Sequence, residues 1–291
     1  MSDYVRQNGC ENAYSDEEPW IILPAIELQI QKKINDIGTP LKEWDIHINR
    51  GVLTGFNHAF MIDGKKRDEL IAQDPKSAEI IRPILRGRDV KRYGYNFADV
   101  WLLNIHNGVK DLKIPHVDIN DYPAIKAHLD IFYPQLKKRQ DKGVTPYNLR
   151  NCAYMEDFSK QKMVWKRIGS IIRFCYDESG TFTLDSTCIA TGDGMKYLVA
   201  ILNTRFGHYL LKDSPKTGTG DLLISVQAIG PVKIPKLREV DQKPFIELLD
   251  TIIECQSHNA SYQYYEDELD KRVFELYHLS DEERNYVLKK Y

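Results

Sequence analysis

The sequence predicts an α+β protein: a mixed β-sheet with inserted helices, followed by a helical C-terminal appendage. Three observations predict it. Short strand-like runs recur between residues 39 and 236, separated by helical pieces. From residue 239 onward the apolar residues fall at helical spacing. No apolar run approaches the roughly 20 residues that span a bilayer, so these elements must bury their apolar faces against one another.

Met1–Glu18 is polar and acidic and reads as a tail or linker, not a secretory signal. Pro24 to Asp36 reads as a helix, with Ile26, Ile30, Ile34 and Ile37 on one stripe, stopped by Gly38 and Pro40. Strand-like runs follow at Trp44–Ile48, Ala59–Asp63 and Val100–Ile105. Lys65–Leu85 reads as helical pieces broken at Pro75 and Pro83, and Tyr122–Lys138 as a helix pair broken at Pro134. Lys162–Ile168, Ile171–Asp177 and Thr181–Ala190 read as strands, the last two as a hairpin around Glu178-Ser179-Gly180. Gly194–Lys212 is helical, a Gly/Thr-rich loop follows at 216–220, and Pro231–Pro235 is extended. Phe245, Leu248, Leu249, Ile252 and Ile253 mark a one-faced helix. Tyr265, Leu269, Val273 and Leu276 mark a second, and Ser280 caps a third. The expected division is 1–38 as linker and connecting helix, 39–236 as the main domain and 237–291 as a helical region.

The 291 residues are 42% hydrophobic and 28% charged, which is ordinary for a globular chain. The net charge of -2 conceals an uneven distribution. Arg82–Arg173 holds 18 Lys+Arg against 9 Asp+Glu, whereas Glu239–Tyr291 holds 13 acids against 6 bases. A basic middle between acidic ends points to a polyanionic partner or to a solvated face. The five cysteines (Cys10, Cys152, Cys175, Cys188, Cys255) form no C-x-x-C pair, so neither a zinc site nor a disulfide framework is indicated, and a reducing cytoplasm fits best.

Catalytic signatures are missing from the sequence. It has no Pro-Pro turn or Phe-x-Gly-x-Gly of an amino-methyltransferase, no phosphate-binding loop, no paired-histidine metal motif and no Gly-x-Ser-x-Gly elbow. Gly192-Asp193-Gly194 echoes a nucleotide loop but lacks its third glycine, and a strand-to-helix turn explains it. Asp89 and Lys91, with Glu79 upstream, resemble half of a metal-dependent nuclease site at generic spacing.

Three segments carry information. Ile48–Phe60 places Gly51 and Gly55 beside the short polar groups of Thr54 and Asn57, as a hairpin turn or a loop that approaches a phosphate closely. Arg82–Tyr93 packs five cations into twelve residues, and arginines fork onto phosphates or guanine edges. Asp89 is expected to orient a neighbouring arginine. Lys137–Arg150 mixes bases with Gly, Pro and Tyr147, and Lys160, Lys162, Lys166, Arg167 and Arg173 extend the basic zone.

The series Gly51-x-x-Thr54-Gly55-x-Asn57-x-Ala59-Phe60, Arg86-Gly87-Arg88-Asp89-Val90-x-Arg92-Tyr93 and Thr145-Pro146-Tyr147-Asn148-Leu149-Arg150 resembles the TaqI-like C-terminal specificity domain of single-chain type II restriction–modification enzymes. The resemblance covers roughly Thr39 to Lys236. The stretch Lys196–Pro235 is similar to the end of a recognition domain in type I specificity subunits, although Lys236–Gln242 departs from that pattern. Leu269–Leu279 resembles the C-terminal helices of the single-chain enzymes.

The resemblance implies a target-recognition domain that grips double-stranded DNA beside methyltransferase and endonuclease domains of the same parent polypeptide. S-adenosylmethionine and magnesium would belong to those domains, with no cofactor, metal or catalytic residue in this chain. The chain itself is then expected to be a truncated form or gene fragment of a cytoplasmic enzyme, with no membrane partner. Candidate DNA contacts are Arg50, Thr54 and Asn57; Arg86, Arg88, Lys91, Arg92 and Tyr93; Lys142, Tyr147 and Arg150; Lys166 and Arg167; and Lys216, Thr217 and Thr219. Two other readings remain open: a metal-dependent nuclease using Asp89 and Lys91, and a protein–protein module whose basic face meets an acidic subunit.

Overall fold

The computed structural model describes residues 24–291; Met1–Glu18 and Cys10 lie outside them. The described chain begins with the expected helix, Ala25–Ile37, which ends at Gly38. Strands follow as β1 (Thr39–Pro40), β2 (Ile46–Arg50), β3 (Met61–Asp63), β4 (Ile81–Leu85) and β5 (Val100–Leu103). After two short helices, Pro123–Asp130 and Tyr133–Lys138, come β6 (Lys162–Lys166), β7 (Ile168–Gly169), β8 (Phe174–Asp177), β9 (Phe182–Thr183) and β10 (Thr187–Gly192). The helices Met195–Leu202 and Arg205–Leu210 precede β11 (Leu222–Leu223) and β12 (Lys233–Ile234). Three helices close the chain: Glu239–Ser257, Gln263–Leu276 and Asp281–Lys290, the last with a Ser280/Glu283 capping box. The fold is α+β, as the sequence predicts.

The centre is an antiparallel sheet in the order β2-β10-β6-β8. Successive strand residues point to opposite faces, and here both faces are covered. Met163, Trp165, Phe174, Cys188 and Ala190 join one core, built with Ala25–Ile37, the helices after β10 and the C-terminal helices. Val164, Cys175 and Ile189 join the other, built with a second sheet, β3-β5-β4-β9, and the helical insertions. Two-sided burial explains why β6 and β10 read as continuous apolar runs instead of alternating ones. Two small ribbons, β1-β12 and β7-β11, flank these sheets.

Five elements differ from the sequence-based expectation. The helical pieces at 65–85 end at Glu79, and Ile81–Leu85 is strand β4. Pro83 is tolerated because β4 changes partners there: pairing with β5 ends at Pro83, and parallel pairing with β9 begins at Ile84. Ile171–Asp177 and Thr181–Ala190 do not form a hairpin. β8 pairs with β6, and the chain then crosses to the second sheet as β9 before returning as β10. Trp44 precedes its strand, and Ala59–Phe60 lie in a helical turn, Asn57–Phe60. The helix pair at 122–138 breaks at Ile131-Phe132, and Pro134 sits in the first turn of the second helix, where a missing N–H costs nothing.

Lys162, read as part of the basic zone, is instead buried. It faces Asp177 across β6 and β8, with Nζ 2.5 Å from the carboxylate, and donates to Phe158 O at 2.7 Å. Asp177 also accepts from Ser179 (2.6 Å), Thr181 (2.7 Å) and Tyr95 (3.1 Å). Removing one partner leaves an uncompensated buried charge. Asp177→Ala should therefore lose about 3–5 kcal/mol in urea denaturation, and Lys162→Met with Asp177→Leu should recover most of that.

Glu27 ties the first helix to the rest. Its carboxylate takes Lys212 and Lys290, each at 3.0 Å, and the Tyr286 hydroxyl. Burial pushes the carboxyl up, but the hydrogen bonds from Tyr286, Lys290 and Lys212 outweigh it and bring it from 4.5 down to about 2. A depressed folded-state value gives stability that is present above pH 4.5 and lost as pH falls toward 2. Glu27→Gln should cost about 2 kcal/mol at pH 7. The gap from the parent chain should close between pH 4.5 and 2 in a urea series.

Candidate nucleic-acid interface

The basic residues converge on a turn that the sequence reading placed inside a strand. Leu184–Ser186, between β9 and β10, binds three neighbouring segments together with the end of β9. Val52 N donates to Thr183 O (2.7 Å) and Asp185 N to Val52 O (2.9 Å), which fixes the 50–57 loop. Gly87 N donates to Ser186 Oγ (3.0 Å), which fixes the 86–90 turn. Arg167 N donates to Ser186 O (3.0 Å), which fixes the end of β6. The signal for this hub was present in the polar pair Asp185-Ser186, which interrupts the apolar run. Two glycines make the approach possible. A Cβ on Gly51 would lie 2.1 Å from Leu184 O, and one on Gly87 would lie 2.9 Å from Lys166 Cγ.

The cations around the hub divide into fixed and free. Arg50 bonds Asp185 through Nη2 at 2.9 Å, and Arg167 donates to Asp185 O at 3.3 Å. Arg86 forks onto Asp89 at 2.9 and 2.8 Å, the ion pair expected from the sequence. Burial raises the Asp89 carboxyl, but the Arg86 side-chain and backbone donors outweigh it and hold it below its ordinary value. Arg88, Lys166 and Arg173 are exposed and have no ion pair among the described residues. They line one cleft of about 350 Å³ with Gly87, Ser170 and Asp221. The β7-β11 ribbon brings the Gly/Thr-rich loop alongside, with Lys216 and Thr219 exposed and Thr217 half-buried. Thr217 and Thr219 bond each other at 2.8 Å.

Other candidates are built into the fold. Thr54 and Tyr93 are each only 1% exposed. Thr54 donates to Asn57 Oδ1 and accepts from Phe56 N, closing its own turn, while Asn57 remains exposed. Burial pushes the Tyr93 hydroxyl up. Arg92 is an internal tie: it pairs with Glu266 at 2.9 Å and donates to Asn203 O at 2.6 Å, joining the basic segment to the C-terminal helices. Lys91 donates to Arg88 O.

In the third segment Lys142 and Arg150 are exposed, Arg150 pairing with Asp141 at 3.2 Å. Tyr147 donates to Asp130 at 2.5 Å and packs 5.5 Å from Tyr133. Arg139, one of the bases of this segment, does not join the surface. It is a buried clamp over the Phe60 ring, donating to the carbonyls of Thr54, Asp141, Pro146 and Asn148. Burial lowers its guanidinium to about 10.

The nuclease constellation does not assemble. Asp89 is committed to Arg86, Lys91 to Arg88 O, and Glu79 accepts from the Tyr122 hydroxyl at 3.1 Å. Among the described residues, no three His, Cys, Asp or Glu side chains come together as a metal site. Gly192-Asp193-Gly194 is the turn from β10 into the helix Met195–Leu202.

Fold and face together define an α+β binding module with free cations gathered on one cleft. Residues 82–223 match the family described as the TaqI-like C-terminal specificity domain, in agreement with the resemblance read from the motifs. The first motif, at 51–60, lies ahead of the matched segment. The chain is similar in fold to the type IIL restriction–modification enzyme MmeI, solved in complex with DNA. That match has a TM-score of 0.64 at 12% identity and covers 84% of this chain and 34% of MmeI. A second match is the type IIG restriction endonuclease BpuSI, with a TM-score of 0.47 at 15% identity, covering 86% of this chain and 33% of that one. The chain thus spans about a third of each. No curated protein matches.

The fixed and free cations separate experimentally. Arg92→Ala should destabilise the chain by about 1.5–3 kcal/mol, the worth of charge-assisted hydrogen bonds. Arg88→Ala should stay within about 0.5 kcal/mol of the parent, both read from urea denaturation midpoints.

Proposed function

We propose that this chain reads double-stranded DNA for a restriction–modification enzyme and holds it for methyltransferase or endonuclease domains of the same parent polypeptide. The observation that carries the reading is the cleft of Arg88, Lys166 and Arg173, which lies inside the segment matched to the specificity-domain family. Cations without internal partners are free to neutralise phosphates and release counterions. Cations held by Asp89, Asp185 or Glu266 shape the surface and position the free ones. The likeness in fold to an enzyme solved with DNA supports the same assignment.

In this reading, residues 39–236 form the recognition domain and 237–291 a helical region that packs on it. S-adenosylmethionine and magnesium serve the catalytic domains, and the setting is cytoplasmic. Phosphate contacts come from Arg88, Lys166, Arg173 and Lys216, with Lys142, Arg150, Arg50 and Arg167 at the margins. Asn57 and Thr219 are the exposed polar groups placed to reach base edges. Such contacts discriminate by roughly 1–3 kcal/mol per base pair.

The test is a fluorescence-anisotropy titration with duplex DNA over a salt series. Affinity should fall linearly with salt on logarithmic axes. Replacing Arg88, Lys166 and Arg173 together with alanine should flatten the slope by roughly 2–3, close to one for each phosphate that is no longer neutralised. A slope unchanged by the triple replacement would place the DNA elsewhere, and no binding at low salt would sink the reading.

A further inference from the structure

We propose that Ile168 and Ile171 read the methyl groups of thymines in the major groove; the proposal rests on the DNA-reading assignment above. Both side chains are large, apolar and exposed, Ile168 by 40% and Ile171 by 56%. Single exposed apolar residues are common and need no explanation. Ile171 lines the same cleft as Arg88, Lys166 and Arg173, and Ile168 follows Lys166 by two residues in the chain. An apolar protein partner would have to desolvate those charges, whereas DNA brings the phosphates they need.

The exposure is also held in place. Ile172, the next residue, is 1% exposed and anchored in the core. Ile168 sits in β7, opposite Leu223 of β11. Trp165 Nε1 donates to Ile224 O at 2.9 Å, and Ile224 N donates to Arg167 O at 2.8 Å, pinning both strands to the sheet. Ahead of β11 the 216–220 loop is open on one side: nothing lies within 4 Å of a Cβ built on Gly218 or Gly220.

A two-stranded ribbon fits the major groove, where the thymine C5-methyl is the apolar feature that base edges present. Apolar wedges that part base steps belong to minor-groove binders that kink the duplex. A ribbon with Lys166 and Arg167 just ahead of β7, and Lys216 bridged to Leu222 of β11, suits the first geometry.

The experiment selects preferred sequences from a pool of randomised duplexes with the 291-residue chain, its Ile168→Ser variant and its Ile171→Ser variant. Each variant should lose preference at one A·T position and keep the others. In the duplex the parent selects, deoxyuridine in place of that thymine should weaken parent binding about fourfold, the worth of one buried methyl. The variant should not respond. Equal preferences and equal deoxyuridine responses in all three proteins would overturn the proposal while leaving the DNA-reading assignment intact. So would a rise in 2-aminopurine fluorescence on parent binding without any thymine dependence, since that reports a wedge. If none of the three proteins retains duplex at low salt, the assignment itself fails and the proposal with it. Unchanged circular dichroism and an unchanged salt slope confirm that each variant folds and docks.

Discussion

The structure depends on one constraint: the central sheet must be covered on both faces. Trp165 and Val164 are neighbours in β6, yet they belong to different cores. A slip of one residue in register would send each to the wrong side. The buried pair Lys162–Asp177 opposes that slip. It is a cross-strand pair, and besides Tyr95 its other hydrogen-bond partners, Phe158 O, Ser179 and Thr181, come from the segments that flank the two strands. A shifted β8 would leave the Lys162 charge buried without its carboxylate, which costs far more than a displaced apolar side chain. Asp177 also holds Ser179 and Thr181, where the chain leaves β8 for the second sheet.

The family motifs are only partly about ligand binding. Thr54-Gly55-Phe56-Asn57 and Thr145-Pro146-Tyr147-Asn148 close in the same way. In each, the threonine hydroxyl donates to the asparagine Oδ1 and accepts from the amide two residues on. Arg139 lies between the two turns and donates to carbonyls of both. A guanidinium suits this position because its planar fork satisfies several acceptors at once. Two of the three motifs are thus parts of one internal joint, which holds the 50–57 loop against the 139–150 loop. In this chain the two motifs serve the scaffold directly.

Much of this was legible in the sequence. The first helix, the three C-terminal helices, the capping role of Ser280 and the α+β class follow from periodicity and cap chemistry. The family motifs and the Arg86–Asp89 pair were legible from residue types alone. What was hidden was non-local. The strand character of Ile81–Leu85 arises because β5 and β9 take it as a partner in turn, and Pro83 masks it. Nothing in the spacing distinguishes Arg139 and Lys162, which are buried, from Lys166 and Arg173, which are exposed. A cation's fate depends on whether acceptors from distant segments arrive around it.

That sorting decides how the surface works. A run of bases along a chain gives a diffuse positive field, which attracts any polyanion without fixing its register. Here carboxylates remove several charges from that field. Asp89 takes Arg86, Asp185 takes Arg50, and Glu266 takes Arg92. The charge that remains is concentrated on the cleft of Arg88, Lys166 and Arg173 and on the adjoining ribbon. The paired arginines are not wasted: through Asp185, Arg50 ties the hub turn to β2, and Arg167 ties it to the end of β6, which carries the free Lys166. In the proposed DNA-reading role, a rigid frame under a few free cations would set which phosphates can be met together, and phosphates met at fixed positions would set which base edges come within reach of the ribbon.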